Sequence, residues 1–496
     1  MSNRKVNAMK RSSSLLAILV AAAFAAPAAY ADTKPAKSRT AAVKQQPVTQ
    51  KIVLSTGLKD GKMVFLDEKG QANPTLKASV GDTIEIRISS GEGAQHDIVF
   101  PALDVQSKHF DKSTGPTTVK FKVTKAGTFE YYCTVAGHRQ VGMEGRLEVA
   151  GAAAAAGASA APRASAPKPV IAYSDTTPAA KALTNAVSVS MDPNAVPAPL
   201  GKRAPQTVKY RIETVEVAGK LDDGTTFTYW TFDKKVPGPM LRVKTGDTVE
   251  FTLANAKNSK MVHSIDFHAT TGPGGGAAFL QVPPGAQKTI SFKALNPGLY
   301  VYHCATPSVP EHISAGMYGM ILVEPEGGLP KVDKEFYVMQ GDIYTKYKHG
   351  TKGHQPFDHE KLAAELPDYY VFNGAVGALT KEHKMQAKVG ETVRVYFGVG
   401  GPNKISSFHV IGEIFDRVYT EASTSAPREN VQTTIVPPGG ATIVEFKVDY
   451  PGRYILVDHA LSRAGKGLVG MLEVTGKADA TVYRDHGESP KEMPQH

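Results

Sequence analysis

The sequence predicts an all-β protein composed of three related Greek-key β-sandwich domains. Most of the chain consists of short runs rich in Val, Ile, Thr, Phe and Tyr, interrupted by Gly and Pro. Such alternating runs are typical of β-sandwiches. A set of motifs also occurs three times in the same internal order, which indicates three copies of one folding unit.

The repeated motifs lie at three corresponding places in each copy. The first set is VGDTIEIRI (80–88), TGDTVEFTL (245–253) and VGETVRVYF (389–397). The second set is AGTFEYYC (126–133), PGLYVYHC (297–304) and PGRYILVD (451–458). The third set is GMEGRLEV (142–149), GMYGMILV (316–323) and GLVGMLEV (467–474). The predicted domains are therefore residues 48–150, 190–327 and 332–476.

The two ends and the connecting segment carry different signals. Residues 1–31 combine a basic start, the apolar run LLAILVAAAFAA and an Ala-Tyr-Ala site, which predicts a signal peptide. Residues 151–189 are an Ala/Pro-rich linker and lead-in, and residues 477–496 are a polar C-terminal tail. No later apolar run is long enough to span a bilayer. We therefore expect a periplasmic protein without a membrane span.

The charge distribution argues against nucleic-acid binding. The formal net charge is +10, and removing the four basic residues of the predicted signal peptide leaves +6. Acidic and basic residues are interspersed along the chain. Because no basic patch stands out, we expect no nucleic-acid partner.

The first copy carries a candidate copper site. Four residues separate Cys133 from His138 and His138 from Met143, and His96 lies upstream. A thiolate, two imidazoles and a weak axial thioether are the ligands of a blue (type 1) copper site, which transfers electrons. The alternative is a buried free cysteine among incidental His and Met residues. Repetition of the pattern in the second copy disfavours this alternative, and the first copy resembles the cupredoxins.

The second copy repeats the pattern and adds two histidines. Its corresponding residues are His263, Cys304, His312 and Met317. His303 directly precedes Cys304, and neighbouring side chains on a strand point to opposite faces. His268 lies five residues after His263 and would also point away on a continuous strand. Two outward histidines predict half of a second metal site, with ordinary surface histidines as the alternative.

The third copy lacks the type 1 ligands but keeps a histidine. Asp458 and Leu468 stand at the cysteine and methionine positions, and His459 follows Asp458. His459 is therefore a candidate third imidazole beside the two outward histidines of the second copy. Three histidines with an open position form a catalytic metal site. Zinc suits these ligands equally well, and the adjacent redox copper favours copper.

Two further residues of this region are candidates for proton delivery. Counting from the repeated glycine places His409 near the first histidine position of the other copies. Asp266 lies between His263 and His268. A carboxylate and a histidine over an open metal site are able to deliver protons, because histidine titrates near neutral pH.

The chain from about 190 to 475 resembles the copper-containing nitrite reductases. The motifs that carry the resemblance are YWTFDKKVPGPMLRVKTGDTVEF, VHSIDFH, YHCATPSVPEHISAGMYGMILVEP, FNGAVGALT, GGPNKISSFHVIGEIFDRVY and LVDHALSRAGKGLVGMLEV. The resemblance implies type 1 copper at His263, Cys304, His312 and Met317. It also implies type 2 copper at His268, His303 and His459. In this family the last histidine comes from a neighbouring chain, so the resemblance implies a homotrimer.

The resemblance also implies a reaction. Nitrite would be reduced to nitric oxide and water by one electron, which passes from type 1 copper through Cys304 and His303. Asp266 and His409 match the pair that binds substrate and relays protons, and Ile411 matches an apolar residue of the substrate pocket. The first copy would be a tethered electron-transfer module. Each chain would then hold two type 1 coppers and one type 2 copper.

Two other functions compete with this prediction. A three-domain multicopper oxidase needs eight histidines around a trinuclear cluster, mostly as H-x-H pairs, and the chain has no H-x-H. A non-enzymatic copper electron carrier leaves the three predicted type 2 ligands without a role.

The expected electron donor is a periplasmic cytochrome c or cupredoxin. A solvated loop is predicted to contain His349, His354 and His359.

Overall fold

The computed structural model describes residues 48–59, 62–135, 138–139, 142–151, 179–484 and 486. These residues form mainly β-structure, which confirms the predicted fold class. The predicted signal peptide, much of the linker and most of the C-terminal tail lie outside the described residues. Within the described residues, no helix has the length and apolar character needed to cross a membrane.

The strands follow one another in three groups along the chain. The first group is β1 Thr49–Lys59, β2 Lys62–Asp67, β3 Leu76–Ser79, β4 Thr83–Ser90, β5 Val99–Phe100, β6 Val105–Gln106, β7 Thr117–Lys122, β8 Gly127–Tyr132 and β9 Glu144–Ala150. The second is β10 Thr207–Asp222, β11 Thr225–Phe232, β12 Leu241–Lys244, β13 Thr248–Asn255, β14 Asp266–Phe267, β15 Gln287–Lys293, β16 Gly298–His303, helix α1 Val309–Ser314 and β17 Tyr318–Glu324. The third is β18 Lys334–Ile343, β19 Gly353–Gln355, helix α2 His359–Ala363, β20 Tyr369–Phe372, β21 Met385–Lys388, β22 Thr392–Gly401, β23 Ser406–Ile411, β24 Phe415–Tyr419, β25 Arg428–Val431, β26 Thr433–Val436, β27 Ala441–Lys447, β28 Gly452–Asp458 and β29 Gly470–Thr475.

The described strands form six sheets in three pairs. The first pair has the strand orders β2-β1-β4-β7 and β3-β9-β8-β5-β6. The second pair has the orders β15-β13-β10-β11-β19 and β12-β17-β16-β14. The third pair has the orders β20-β18-β22-β27-β24-β25 and β21-β29-β28-β23-β26. Strand β19 therefore follows β18 in sequence but joins a sheet of the second pair.

Each pair of sheets repeats the same strand pairing. The long first strand lies parallel to the strand after the repeated Gly-Asp or Gly-Glu turn, as β1 does with β4, β10 with β13 and β18 with β22. In the facing sheets, β3 and β9, β12 and β17, and β21 and β29 are also parallel. The repeat in the sequence is thus a repeat of topology.

Burial alternates along the strands that cover the cores. In β4, the side chains of Ile84, Ile86 and Ile88 are fully buried, while the residues between them are partly exposed. Successive side chains on a strand point to opposite faces, so this pattern places one face of the sheet on the core. The same geometry underlies the alternation seen in the sequence.

A tyrosine and a glycine pack together beside each cysteine. The ring of Tyr131 crosses Gly145, where a Cβ atom would lie 2.3 Å from the ring carbon Cζ. Tyr302 crosses Gly319 in the same way, also with 2.3 Å to Cζ. Only glycine permits this approach. The contact therefore explains the glycine two residues after each predicted methionine ligand, and it holds the strand before the cysteine against the strand after the methionine.

The second and third pairs of sheets share a buried core. Tyr318 and Met320 of β17 pack in one cluster with Tyr337 of β18 and Tyr396 of β22. The hydroxyl of Tyr337 donates to the carbonyl of Gly238 at 3.0 Å and accepts from the N–H of Met320 at 3.1 Å. This shared core fixes the relative orientation of the two pairs.

Buried charges also connect these two pairs. Glu335 of β18 contacts Arg242 of β12 at 2.9 Å and Arg394 of β22 at 2.8 Å. Arg394 further pairs with Glu445 of β27, and both side chains are almost completely buried. Removing one partner of a buried ion pair costs about 3–5 kcal/mol, because the other charge is then left uncompensated.

Candidate metal sites

Three clusters of potential metal ligands occur in the part of the chain that the structure describes. The clusters are His96–Cys133–His138, His263–Cys304–His312 and Asp266–His268–His303. The first two are completely buried, whereas the third lies at the surface. All nine residues are candidates from the sequence.

The first cluster lies in the first pair of sheets. His96 forms a bridge with Phe110 before β5, Cys133 follows β8, and His138 and Met143 precede β9. Cys133 Sγ lies 3.8 Å from Nδ1 of His96 and 3.4 Å from Nδ1 of His138. Met143 is fully buried. Its carbonyl accepts a hydrogen bond from the N–H of Cys133 at 3.2 Å.

The second cluster repeats this arrangement in the second pair of sheets. Cys304 follows β16, His312 lies on α1, and Met317 precedes β17. Nδ1 of His312 lies 3.3 Å from Cys304 Sγ and 3.3 Å from Nδ1 of His263. The N–H of Cys304 donates to the carbonyl of Met317 at 3.0 Å, as in the first cluster. The N–H of Ser264 donates to Cys304 Sγ at 3.3 Å.

Both buried clusters fit a trigonal copper site. Bonds of about 2.0–2.3 Å at angles of about 100–120° separate neighbouring ligand atoms by about 3.1–3.8 Å. The observed separations of 3.3, 3.4 and 3.8 Å lie in this range. Nε2 of His138, His263 and His312 has no hydrogen-bond partner, and Nδ1 is the atom that faces the cluster. A soft thiolate with two imidazoles and a buried thioether selects copper.

A carboxylate lies beside the first histidine of each buried cluster, on the side of the ring away from the cysteine. Glu92 pairs with Nε2 of His96, and Glu216 Oε1 lies 3.6 Å from Nε2 of His263. Burial raises the pKa of Glu216, but contacts with His263 and Ser259 outweigh it and lower the pKa to about 2. Such partners orient the imidazole and increase its basicity. Neither residue is a candidate from the sequence, because Glu216 lies on the distant strand β10 and Glu92 belongs to no motif.

The two thiols lie in different electrostatic surroundings. Burial and the nearby carboxylate of Asp97 raise the pKa of Cys133 to about 12. Burial also opposes ionisation of Cys304, but the imidazole of His263 and the N–H of Ser264 help to outweigh it, and the pKa of Cys304 is lowered. Asp97 and Ser264 each follow the first histidine of their cluster, so one substitution between the copies contributes to the difference.

The third cluster lies on the outer side of the sheet that carries Cys304. Nε2 of His268 and Nε2 of His303 are 3.1 Å apart, and the two rings are nearly perpendicular. Asp266 Oδ2 lies 4.0 Å from Nε2 of His303. Burial and the neighbouring His303 lower the pKa of His268. A neutral imidazole binds metal, so this shift favours a metal site.

The strand between His263 of the second cluster and His268 of the third is shorter than expected. The outward position predicted for His268 requires a continuous strand from His263 to His268, but β14 comprises only Asp266–Phe267. His268 follows β14 and is held by its N–H, which donates to the carbonyl of Val301 at 3.0 Å. Alternation along one strand therefore does not explain its outward position, and pairing with β16 does.

His409 and His459 lie together on the third pair of sheets. Their ring centroids are 5.6 Å apart. His409 lies on β23, where its Nδ1–H donates to the carbonyl of Gln432 at 2.6 Å, and the exposed His459 follows β28. Among the described residues of one chain, neither histidine belongs to the cluster formed by His268 and His303.

The strand register corrects the sequence-based alignment of His409. His409 pairs with the residue before Asp458, as Asp266 pairs with His303, the residue before Cys304. His409 is therefore the counterpart of Asp266 and not of the first histidine ligand. Counting along the chain could not distinguish these positions, because the segments between strands differ in length among the copies.

The first pair of sheets contacts the second beside the second cluster. Met261 packs in the buried core of the first pair, and Trp230 contacts the cores of both pairs. The ring centroid of Trp230 lies 4.6 Å from that of His312. Burial and the neighbouring His96 lower the pKa of His138 to about 3, and the carboxylate of Glu311 opposes this shift. Both C-terminal histidines of the buried clusters thus lie near this contact.

The prediction of a solvated loop is wrong for its three histidines. The ring of His349 lies 4.7 Å from that of Tyr369, and His354 is part of β19. His359 Nε2 lies 3.1 Å from Oε1 of Glu311, the residue before His312. This loop therefore packs against the region of the second cluster. No local pattern indicated this, because Glu311 and the loop are distant in sequence.

Comparisons with known proteins agree with these features. Two family models described as multicopper oxidase match residues 213–328 and 343–477. A copper-containing nitrite reductase of Neisseria meningitidis is 55% identical over 60% of this chain and 79% of that protein. A copper-containing nitrite reductase of Pseudomonas chlororaphis is 35% identical over 55% of this chain and 80% of that protein. The solved copper nitrite reductase of Nitrosomonas europaea has 37% identity and a TM-score of 0.50, covering 55% of this chain and 95% of that chain.

The fold and the buried Cys–His clusters define a copper-dependent oxidoreductase with cupredoxin-like domains. Within that class, the chain belongs to the copper-containing nitrite reductases. Residues 48–150 lie outside both matching family models.

The position of Trp230 predicts an optical test of copper binding. Trp230 is the only tryptophan in the sequence, and its ring is close to both His312 and His263. Cu(II) quenches a neighbouring indole, so adding copper to metal-free protein is expected to remove most of the tryptophan fluorescence. Cys304→Ser should remain fluorescent, whereas His268→Ala should be quenched as the wild type is. Equal quenching in Cys304→Ser would contradict copper binding in the second cluster.

Proposed function

We propose that this chain reduces nitrite to nitric oxide and water at a type 2 copper. The observation that carries the proposal is the junction at His303 and Cys304. Cys304 belongs to the buried second cluster, and His303 belongs to the surface cluster. Their Cα atoms are ~3.8 Å apart, so one peptide unit and two side chains would connect the two metals. The names of the relatives support nitrite as the substrate.

The second cluster is the proposed electron donor to this site. Its ligands would be His263, Cys304, His312 and Met317, which form a type 1 copper site. The cluster is completely buried, and a thiolate with two imidazoles and a weak axial thioether is the ligand set of copper sites that transfer electrons. Its only role in the proposal is to deliver one electron.

The surface cluster needs a third imidazole to become a catalytic site of the usual composition. His268 and His303 provide two, and the exposed His459 lies elsewhere on the same chain. We therefore propose that His459 of a neighbouring copy completes the type 2 site. Head-to-tail contacts of this kind form a ring when the rotation between subunits closes, and we propose a ring of three chains with three equivalent sites.

Copper bound in the third cluster would act as a Lewis acid and supply the electron that nitrite receives. The reaction consumes one nitrite, one electron and two protons and yields nitric oxide and water. Asp266 lies beside His303 and is proposed to orient nitrite and provide one proton. His409, the counterpart of Asp266 in the third pair, is proposed to provide the other. Ile411 is 41% exposed and lies on the same face of β23 as His409, where it would shape the substrate pocket.

The first pair of sheets is proposed to act as a tethered electron-transfer module. Its type 1 copper would be held by His96, Cys133, His138 and Met143. The contact through Trp230 and Met261 beside the second cluster supports this role. A tether raises the local concentration of the module near its acceptor. Each chain would therefore contain two type 1 coppers and one type 2 copper.

We propose that the protein acts in the periplasm. The basic and apolar start of the sequence supports export to the periplasm. There the electron donor would be a cytochrome c or a separate cupredoxin, and the reaction would serve dissimilatory nitrite reduction.

A multicopper oxidase is the competing enzymatic function, and the descriptions of the two family models name it. Its trinuclear centre needs H-x-H pairs, which the sequence lacks. The surface cluster seen in the described residues has only two imidazoles. Electron paramagnetic resonance distinguishes the functions, because the proposal requires two type 1 signals for each type 2 signal, while an oxidase contains a coupled copper pair.

Loss of one type 2 ligand is expected to abolish the reaction. His268→Ala should lower the rate of nitric oxide formation from nitrite by more than about 100-fold, since replacing even an outer partner of a metal ligand costs about 10–100-fold. The type 1 absorption should remain. The matched control is His486→Ala, a change of an exposed histidine, which should retain full activity. A wild-type rate close to zero with all coppers present would refute the proposed function.

The proposed role of His409 is tested by the pH dependence of the rate. His409→Ala removes a proton donor but no copper ligand, so we expect a lower kcat and a changed pH profile with an unaltered type 2 signal. An unchanged rate and pH profile would exclude a role of His409 in proton delivery.

The role of the first pair of sheets is tested by Cys133→Ser. This change should remove one of the two type 1 signals and slow nitrite reduction when a reduced protein donor supplies electrons. With a small reductant that reaches the second cluster directly, the rate should be unaffected. Equal rates with the protein donor would show that electrons bypass the first cluster.

A further inference from the structure

Asp458 stands at the cysteine position of the third pair of sheets, and its side chain is completely buried. Its Oδ1 accepts hydrogen bonds from the N–H groups of Ser407 and Ala460, both at 3.0 Å. Its Oδ2 pairs with Arg463 and accepts from Nε2 of Gln340 at 3.3 Å. The carboxylate therefore has four partners from different parts of the chain.

One of these contacts repeats a contact of the thiol in the second pair of sheets. There the N–H of Ser264 donates to Sγ of Cys304 at 3.3 Å. In the third pair, the N–H of Ser407 donates to Oδ1 of Asp458 at 3.0 Å. The strand register makes Ser407 the counterpart of Ser264. The carboxylate thus occupies the position of the thiolate and receives the same backbone donor.

These contacts connect the two segments that carry His409 and His459. Ser407 lies on β23 two residues before His409, and Ala460 directly follows His459. Oδ1 of Asp458 binds the N–H groups of both segments. The N–H of His459 also donates to the carbonyl of Ser407 at 2.8 Å. The carboxylate of Asp458 therefore adds a side-chain connection between the two segments, beside the backbone pairing of β23 with β28.

Arg463 supplies the positive charge that this buried carboxylate requires. It lies in the short 3-10 helix Leu461–Lys466, which follows His459. Its Nη1 also donates to the carbonyl of Ile405, just before β23, at 2.6 Å. The guanidinium lies 5.0 Å from the ring centroid of Tyr370. Arg463 thus contacts the same two segments as Asp458, and a buried carboxylate without such a partner is strongly unfavourable.

We infer that the ion pair of Asp458 and Arg463 positions His459 and His409 for the type 2 copper site. In the second pair of sheets, metal ligation at Cys304 would tie together the strands at this place. In the third pair, which has no thiolate, the ion pair connects the equivalent segments. This inference rests on the proposed function, because His459 binds copper only if a neighbouring copy presents the rest of the site. Asp458 and Arg463 are positioning residues and do not contact nitrite or copper.

The test is the affinity of the copper-loaded protein for its type 2 copper. Asp458→Asn and Arg463→Met are each expected to bind it about 10–100-fold more weakly. Copper retained against a chelator and the type 2 electron paramagnetic resonance signal measure this loss. The type 1 absorption should be unchanged, since both type 1 clusters lie in other pairs of sheets. Arg463→Lys keeps the positive charge and should retain more type 2 copper than Arg463→Met.

The matched control is Arg394→Met, which breaks the buried ion pair with Glu445 in the same pair of sheets. It should lower the unfolding temperature without changing type 2 affinity. If Asp458→Asn and Arg463→Met also lose only stability, the inference is overturned. If Arg463→Lys binds type 2 copper as weakly as Arg463→Met, the charge has no positioning role and the inference is likewise wrong. Absence of type 2 copper in the wild type would instead refute the proposed function.

Discussion

The alternation of neighbouring side chains at His303 and Cys304 is the constraint on which the site depends. A strand cannot direct two successive side chains to the same face. Cys304 therefore belongs to the buried cluster, while His303 belongs to the cluster on the outer side of the sheet. Any electron passed between metals in these clusters would travel through two adjacent residues. The proposed division into an electron-transfer site and a catalytic site follows directly from this geometry.

The three copies show three uses of one position at the end of a strand. In the first copy, Cys133 lies beside the carboxylate of Asp97, and in the second, Cys304 lies beside the hydroxyl of Ser264. In the third, Asp458 takes the place of the thiol. Each of these groups is buried, and Cys304 and Asp458 each accept a hydrogen bond from a backbone N–H. A polar or charged group is retained at this position only where partners compensate for its burial, and the nature of these partners differs between copies.

The contact between the first and second pairs of sheets gives the first cluster a place in the electron path. Trp230 and Met261 pack against the core of the first pair, directly beside the second cluster. Glu311 and His359 add an ion pair in the same region. Because apolar residues form this contact, the burial of surface favours association of the two pairs. The tether has only to keep the module within reach.

The sequence by itself determined the fold class, the repeat and the identity of the ligand candidates. Period-two alternation and the spacing of Cys, His and Met are local properties, and local properties survive in any tertiary arrangement. Only the tertiary structure decided that His409 is the counterpart of Asp266, that Glu216 lies beside His263, and that the loop histidines are packed. It also separated His459 from the surface cluster of its own chain. These features depend on strand register and on contacts between residues far apart in sequence, which no spacing along the chain encodes.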